Sequence, residues 1–314
     1  MRVMFGWKKA LGKVINADRQ KLESSYSFQH DPHAGHPVLV AKMNRYFAGH
    51  PVEGERFRRE MEFINELPKK LQDPVLWEVY SVFPYPFIYA YDPSSVHVYF
   101  DEEADMHYVM HASKRLYYPR TFRSVTEIQK HYTYLSAEQD DLSPHNYFHR
   151  RSEYTSGDVV ADLGAAEGNF SLSIVENVKS LFVLESDPLW IEALHKTFEP
   201  WKDKVQIIQK FAGSRNDEQM ITLDELFAMG NLTVVKMDIE GAEIGVLESS
   251  RMLSTAQPLD LMVAAYHRQS DAVNIRSILE QRGFQASTTD GYMLFPYDWQ
   301  MPPYFRKGMV FGCK

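Results

Sequence analysis

Asp162, Gly164 and Gly168 stand in the stretch DVVADLGAAEGNFSLSIVE, residues 158–176. An apolar run enters this turn and an amphipathic run leaves it, the pattern of a buried strand turning through glycines into a helix. Glycine there lets the backbone approach a ligand closely. The spacing is not G-x-G-x-x-G, because Ala165 and Ala166 follow Gly164. No Gly-Lys-Ser/Thr follows either, so the turn is not built to cradle a pyrophosphate or triphosphate. Glu185 closes the next apolar run, SLFVLES, 17 residues beyond Gly168. A carboxylate at a strand's carboxyl end suits paired hydrogen bonds to ribose hydroxyls. The same residues also fit a plain strand–helix turn packed on glycines.

Two further residues have the chemistry of proton transfer. Asp238 ends the run LTVVKMD and His267 ends LDLMVAAYH. Neighbouring strand ends would put them over one site. An imidazole that titrates near neutrality is a suitable general base, with Asp238 orienting it or binding a hydroxyl. Asp238, Glu240 and His267 also offer the oxygen and nitrogen donors of a divalent-cation site such as one for Mg²⁺. Lys236 lies two residues before Asp238, on the same strand face, so a salt bridge between the two is expected. Glu243 falls at a helix start, where negative charge is favourable on dipole grounds alone.

The elements that must position these groups alternate strand, turn and helix from about residue 157. Strands are expected at 158–163, 180–186, 204–211, 232–238, 259–267, 292–297 and 307–313, the last two as an antiparallel hairpin. Helices are expected at 168–177, 188–198, 222–229, 241–253 and 270–282, the last ending at Gly283. The first five strands are continuous apolar runs, as in a parallel sheet covered on both faces. The expected fold is therefore α/β, doubly wound, with a mostly parallel seven-stranded sheet. Residues 1–150 read as an N-terminal α+β region and 151–314 as the Rossmann-like domain. In the first part, 20–37 reads as a loop. Phe57, Met61, Ile64 and Leu67 share a face of a helix over 51–71. Strands at 96–100 and 106–111 flank an acidic turn, and Ser124 with Glu127 forms a capping box.

Composition narrows the class. The chain has 314 residues with a formal net charge of −8, which gives no global basic excess for nucleic acid. Its single cysteine, Cys313, excludes an intrachain disulfide and Cys-based zinc clusters, and fits a reducing, cytoplasmic setting. No stretch is apolar for long enough to span a bilayer. The opening residues, MRVMFGWKKALGKVINADR, are interrupted by lysines, unlike a signal peptide. They fit a short basic amphipathic helix, docked on the protein or on a membrane surface. Oligomeric state is silent in the sequence.

The D-x-G-x-x-x-G turn resembles the first motif of class I S-adenosylmethionine methyltransferases. ITLDEL, then VVKMDIEGAEIGVL, then a histidine after the fifth strand resemble the FkbM-like methyltransferases, over roughly residues 155–284. That resemblance implies S-adenosylmethionine as cofactor and O-methylation of a hydroxyl on a sugar, glycan or related natural product. On it, the cofactor would be held by Asp162, Gly164, Ala165 and Gly168 in the turn, with Asp162 near its ammonium group. Glu185 and Ser186 would meet the ribose, Phe211 and Ala212 the adenine, and Asp238 would also contribute. His267 and Asp238 would carry the proton chemistry. Glu240, His145, Tyr118 and Arg120 are candidates for the acceptor, Tyr118 and Arg120 by stacking on a sugar face. Ala166 and Glu167 depart from the family, which commonly has Asn and an apolar residue there. Other readings are a methyltransferase acting on a peptide or small natural product at oxygen or nitrogen, an RNA methyltransferase, or a non-catalytic cofactor-binding module.

Overall fold

A computed structural model describes residues 32–70, 82–295 and 302–314. The basic N-terminal segment lies outside the described residues. Among the described residues, three helices come first, α1 (Pro32–Gly49), α2 (Pro51–Arg56) and α3 (Arg58–Lys70). The loop expected at 20–37 thus gives way to helix from Pro32. The few aliphatic residues there leave no helical periodicity in the sequence. Phe57, Met61, Ile64 and Leu67 are all buried. They pack with Met43 and Phe47 of α1 and with Met293, Leu294, Tyr304 and Phe305 near the C-terminus. The single helix expected over 51–71 is broken at Phe57.

An antiparallel sheet follows, β1 (Val98–Asp101), β2 (Met106–His111) and β3 (Lys114–Tyr117). Helix α4 (Val125–Glu138) starts as its capping sequence dictates. The Ser124 side chain accepts a hydrogen bond from the Glu127 amide. The Glu127 carboxylate returns to the Arg123 amide rather than to that of Ser124. Ser143 Oγ accepts from the His145 amide within the turn that follows.

The main sheet contains β4 (Val159–Leu163), β5 (Ser180–Leu184), β6 (Val205–Ile208), β9 (Val234–Met237), β10 (Asp260–Ala264), β11 (Gln285–Thr288) and β14 (Met309–Cys313). The intervening helices are α5 (Asn169–Ile174), α6 (Pro188–Phe198), α7 (Leu223–Met229), α8 (Glu243–Ser249) and α9 (Asp271–Gln281). Strand order is β11-β14-β10-β9-β4-β5-β6. The five strands from β10 to β6 run parallel, and β14 is antiparallel to both neighbours. Alternate residues of β4 serve two cores. Val159, Ala161 and Leu163 join one, with Leu223 and Leu226 of α7 and Val246 and Leu247 of α8. Val160 joins the other, with Phe170 of α5, Trp190 and Leu194 of α6, and Ile128 and Leu135 of α4.

The sheet has seven strands, but its sixth is β11, not the expected 292–297. Gln285–Thr288 reads QAST, too polar to announce itself as a strand, and is held by pairing with β14. Met293–Leu294 (β12) pairs instead with Phe305–Arg306 (β13) in a separate ladder. The expected strand 204–211 ends at Ile208, and Phe211–Gly213 (β7) pairs in parallel with Met220–Thr222 (β8). Among the described residues, no helix is long and apolar enough to cross a membrane.

Candidate active site

Strand order reverses between β4 and β9, which are neighbours in space but far apart in sequence. In open α/β sheets the crevice at such a switch point, beyond the strands' carboxyl ends, is where ligands bind. Asp162 and Lys236 face each other there in cross-strand register. A cavity of about 1080 Å³ opens at this edge. It is large for a small-ligand site and has room for two reactants.

The floor is the turn after β4. Gly164 has φ +75° and lies so close to β9 that a Cβ would collide with the Asp238 carbonyl oxygen. Gly164→Ala is therefore expected to destabilise the fold by roughly 3 kcal/mol or more, read as a fall in denaturation midpoint. Gly168 has φ +80° and packs under Leu194 and Phe198 of α6. It serves helix packing and does not line the cavity. Ala166 is held at φ +46°, a left-handed conformation that asparagine tolerates better. Alanine is thus accommodated there at some backbone strain.

Glu185 follows β5 and is almost completely buried. Its Oε2 accepts from the Ala166 amide at 2.8 Å and its Oε1 from the Asp187 amide at 2.7 Å. Burial pushes its pKa up to about 7 despite those two bonds. Glu185, Ser186, Gly164, Ala165, Phe211 and Ala212 all line the cavity, as do Asp238 and Glu240.

Asp238 is the hub of the far side. Tyr147 Oη donates to its Oδ2 at 3.0 Å, and Tyr266 Oη lies 3.0 and 3.1 Å from its two oxygens. His145 Nε2 is 3.3 Å from Oδ2, and His267 Nε2 is 3.5 Å from Oδ1. Burial alone would raise this carboxyl, but His145, His267 and Lys236 hold it well below the usual carboxylate range. His145 continues to Glu138 at 3.4 Å, and His267 Nδ1 to Glu243 at 3.2 Å. The result is a buried chain in which carboxylates and imidazoles alternate. Glu240, at φ +58°, adds a third carboxylate 3.7 Å from His267 Nε2.

Both imidazoles lie behind the cavity wall rather than on it. His267 also differs from the near-neutral base expected of it. Burial pushes its pKa down, but Glu243, Asp238 and Glu240 together push it up to about 9. Because this is above the ordinary histidine value, the stabilisation is complete at pH below about 6.5 and is lost as pH rises through 9. Wild-type stability should fall by on the order of 3 kcal/mol between pH 6.5 and 10. His267→Gln should flatten that part of a pH series of urea midpoints; an unchanged slope would remove the imidazolium from the cluster.

Asp238, Glu243 and His267 bring ligand-type atoms within 4.8 Å of one another. Their donor set does not fit Mg²⁺. Asp238 already faces two tyrosine hydroxyls and two imidazoles. Glu243 Oε1 accepts from the Ile239 amide at 2.8 Å and the Gly241 amide at 3.3 Å. A hard cation needs several free oxygens and keeps water. These two carboxylates already face tyrosine hydroxyls, imidazoles and backbone amides, and have room for at most one further hydrogen bond rather than a coordination shell.

Several expected residues lie elsewhere. Asp162 is fully buried and does not line the cavity. It accepts from Ser171 Oγ at 2.8 Å and pairs with Lys236 Nζ at 2.9 Å. Lys236 therefore pairs with Asp162, not primarily with Asp238 as expected from their shared face. The structure does not bring Tyr118 or Arg120 to the cavity. Tyr118 is buried against Phe122, His131 and Trp190, and Arg120 pairs with Glu192 and Asp105 on the outside. Sequence reasoning did not single out Tyr266, although it immediately precedes His267, or the wall provided by His131, Tyr134 and Glu167. His131 and Glu167 meet at 2.9 Å across the cavity rim.

The family model described as the methyltransferase FkbM domain matches residues 166–286. No curated protein matches the chain. Among solved structures, the FkbM methyltransferase from Methylobacillus flagellatus KT is similar at 18% identity with a TM-score of 0.44, over 60% of this chain and 53% of that one. This chain thus spans about half the length of that relative. Magnesium protoporphyrin IX methyltransferase from Synechocystis PCC 6803 is similar at 16% identity with a TM-score of 0.39, over 60% of this chain and 84% of that one. The precorrin-6y C5,15-methyltransferase of Geobacter metallireducens GS-15 is similar at 13% identity with a TM-score of 0.38, over 57% and 89%. The strand order given above is that of a doubly wound, mostly parallel α/β sheet with its antiparallel last strand inserted beside β10, and residues 166–286 of this chain match the methyltransferase FkbM domain.

Proposed function

We propose that the protein is an S-adenosylmethionine-dependent O-methyltransferase whose acceptor is a hydroxyl of a sugar, glycan or related natural product. The observation that carries this reading is Asp238. A carboxylate held by two tyrosines and flanked by two imidazoles faces a cavity that adjoins a glycine turn and a ribose-type glutamate at the switch point. The residues fit the cofactor: Glu185 is placed for the ribose hydroxyls, and Phe211 and Ala212 flank the space for a flat base. When bound, S-adenosylmethionine supplies an electrophilic methyl group on a sulfonium.

Asp238 accepts a hydrogen bond from the acceptor hydroxyl, aims its oxygen, and takes the hydroxyl proton as that oxygen is methylated and becomes strongly acidic; positioning is the larger part of catalysis. Tyr147 and Tyr266 keep the carboxylate from turning away. His267 carries a proton at neutral pH and balances the charge of Asp238, Glu240 and Glu243; it steadies the cluster rather than touching substrate. Tyr266 stacks on Phe295 with centroids 5.5 Å apart, and both line the cavity beside Tyr134. Such an aromatic wall suits the apolar face of a sugar ring. We read the region before the sheet as a cap, because α4 and the turn after it contribute Glu138, Tyr134 and Tyr147 to the cavity.

The test is methyl transfer from radiolabelled S-adenosylmethionine to a panel of nucleotide sugars, oligosaccharides and phenolic glycosides. Label on a hydroxyl of a sugar-bearing compound supports the reading. Label only on amines, peptides or RNA would replace the acceptor class.

A further inference from the structure

Lys236 is a cation in an expensive place. It is almost fully buried on the central strand β9, yet it lines the cavity. An ammonium has three protons to donate. One goes to the Gly164 carbonyl at 2.8 Å, and another lies toward Asp162 Oδ1 at 2.9 Å. The Tyr147 ring lies 5.0 Å away. That leaves one donor for a ligand. Glu138, at the end of α4 with His145 as its neighbour, lines the same cavity and lies close enough to feel the Lys236 charge. Burial raises the Glu138 carboxyl, so a cation placed beside it would be welcome. Meanwhile Asp162, neutralised by Lys236 and withdrawn from the cavity, is not free to receive an ammonium group.

The spacing fits one ligand end. Glu185 follows β5, and Lys236 is on β9, two strands across through β4. That separation is about 10 Å, comparable to the reach from a nucleoside ribose to an amino-acid tail on its 5′ carbon. We propose that Lys236 and Glu138 form a subsite for a zwitterionic amino-acid group, Lys236 binding its carboxylate and Glu138 its ammonium. This rests on the cofactor reading above. It assigns half of the subsite to a helix that precedes the FkbM domain, so cofactor capture joins that helix to the sheet.

The experiment compares two nucleosides by calorimetric titration: S-adenosylhomocysteine, and 5′-methylthioadenosine, which lacks the amino-acid end. Wild type should prefer S-adenosylhomocysteine by at least about tenfold. Lys236→Met should weaken that ligand roughly 10- to 100-fold and leave 5′-methylthioadenosine within about twofold. Because that variant strands Asp162, the Asp162→Asn/Lys236→Met double variant repeats the comparison without a buried unpaired charge. Glu138→Gln should reduce the same preference from the ammonium side. Equal loss of both ligands in folded variants, or no change in their ratio, overturns the assignment. So does equal affinity of wild type for the two. Wild type binding neither overturns the cofactor reading as well.

Discussion

Asp238→Asn is expected to lower methyl-transfer turnover by roughly 10²- to 10⁴-fold, with S-adenosylhomocysteine affinity changed no more than a few-fold. The substitution keeps size and shape but removes the charge. Tyr147 and Tyr266 then have a neutral amide in place of a carboxylate acceptor, and His145 and His267 lose their shared anion. The hydroxyl to be methylated loses its aiming partner. The separation of turnover from cofactor affinity is the informative part. A variant that loses both in proportion would mark Asp238 as scaffolding, and one that keeps turnover would end its role in the chemistry. His267→Gln should act more mildly, because the imidazole lies behind Asp238.

Glu185→Gln should weaken S-adenosylhomocysteine roughly 100-fold, the cost of turning paired charge-assisted hydrogen bonds to a diol into poorer ones. The pH dependence makes the assignment sharper. Burial places the Glu185 pKa at about 7 in the free protein. The anion needed for the ribose is therefore fully formed only above that value, and affinity should rise between pH 6 and 8. Below the pKa, the slope should approach tenfold per pH unit. Glu185→Gln should bind weakly with no such slope. The group's folded pKa is raised above that of an ordinary glutamate, so ionising it also opposes folding. The same variant should be more stable than wild type at pH 8, by a margin that vanishes toward pH 4.

Much of the fold was legible because the strands of a sheet covered on both faces are predominantly apolar runs, broken by Asp162 and Lys236 where the site lies. VVADL, SLFVL and VVKM are buried throughout or nearly so. A cap was legible at Ser124, whose side chain meets the amide three residues on, whereas Thr222, expected within its helix, turns out to cap it. What escaped was determined by tertiary contact. Gln285–Thr288 is a strand because β14 pairs with it, and nothing local requires it. Met293–Leu294 and Phe305–Arg306 pair with each other and pack on the N-terminal helices, a partner invisible to a linear reading.

The site divides along the same line. Glu185, Asp238 and the glycine turn could be placed because a strand's carboxyl end faces the crevice whatever its neighbours are. Charge state could not be placed that way. Lys236 was expected to answer Asp238 two residues along its own strand, but cross-strand register puts Asp162 directly beside it. His267 was expected near neutrality, and only the fold brings Glu243, Asp238 and Glu240 around its ring. Tyr118 and Arg120 fell away for the complementary reason. A tyrosine with an arginine nearby suits a sugar platform or a small core equally well; here Phe122, His131 and Trp190 make Tyr118 core, and Arg120 pairs with Glu192 and Asp105 on the outside.

The most direct test of the central claim is calorimetric titration of the full chain with S-adenosylhomocysteine at pH 8, for wild type and Glu185→Gln. The account predicts one site of micromolar affinity in wild type and near-complete loss in a variant that remains folded by circular dichroism. Absence of binding to folded wild type, or equal binding by both proteins, would contradict it.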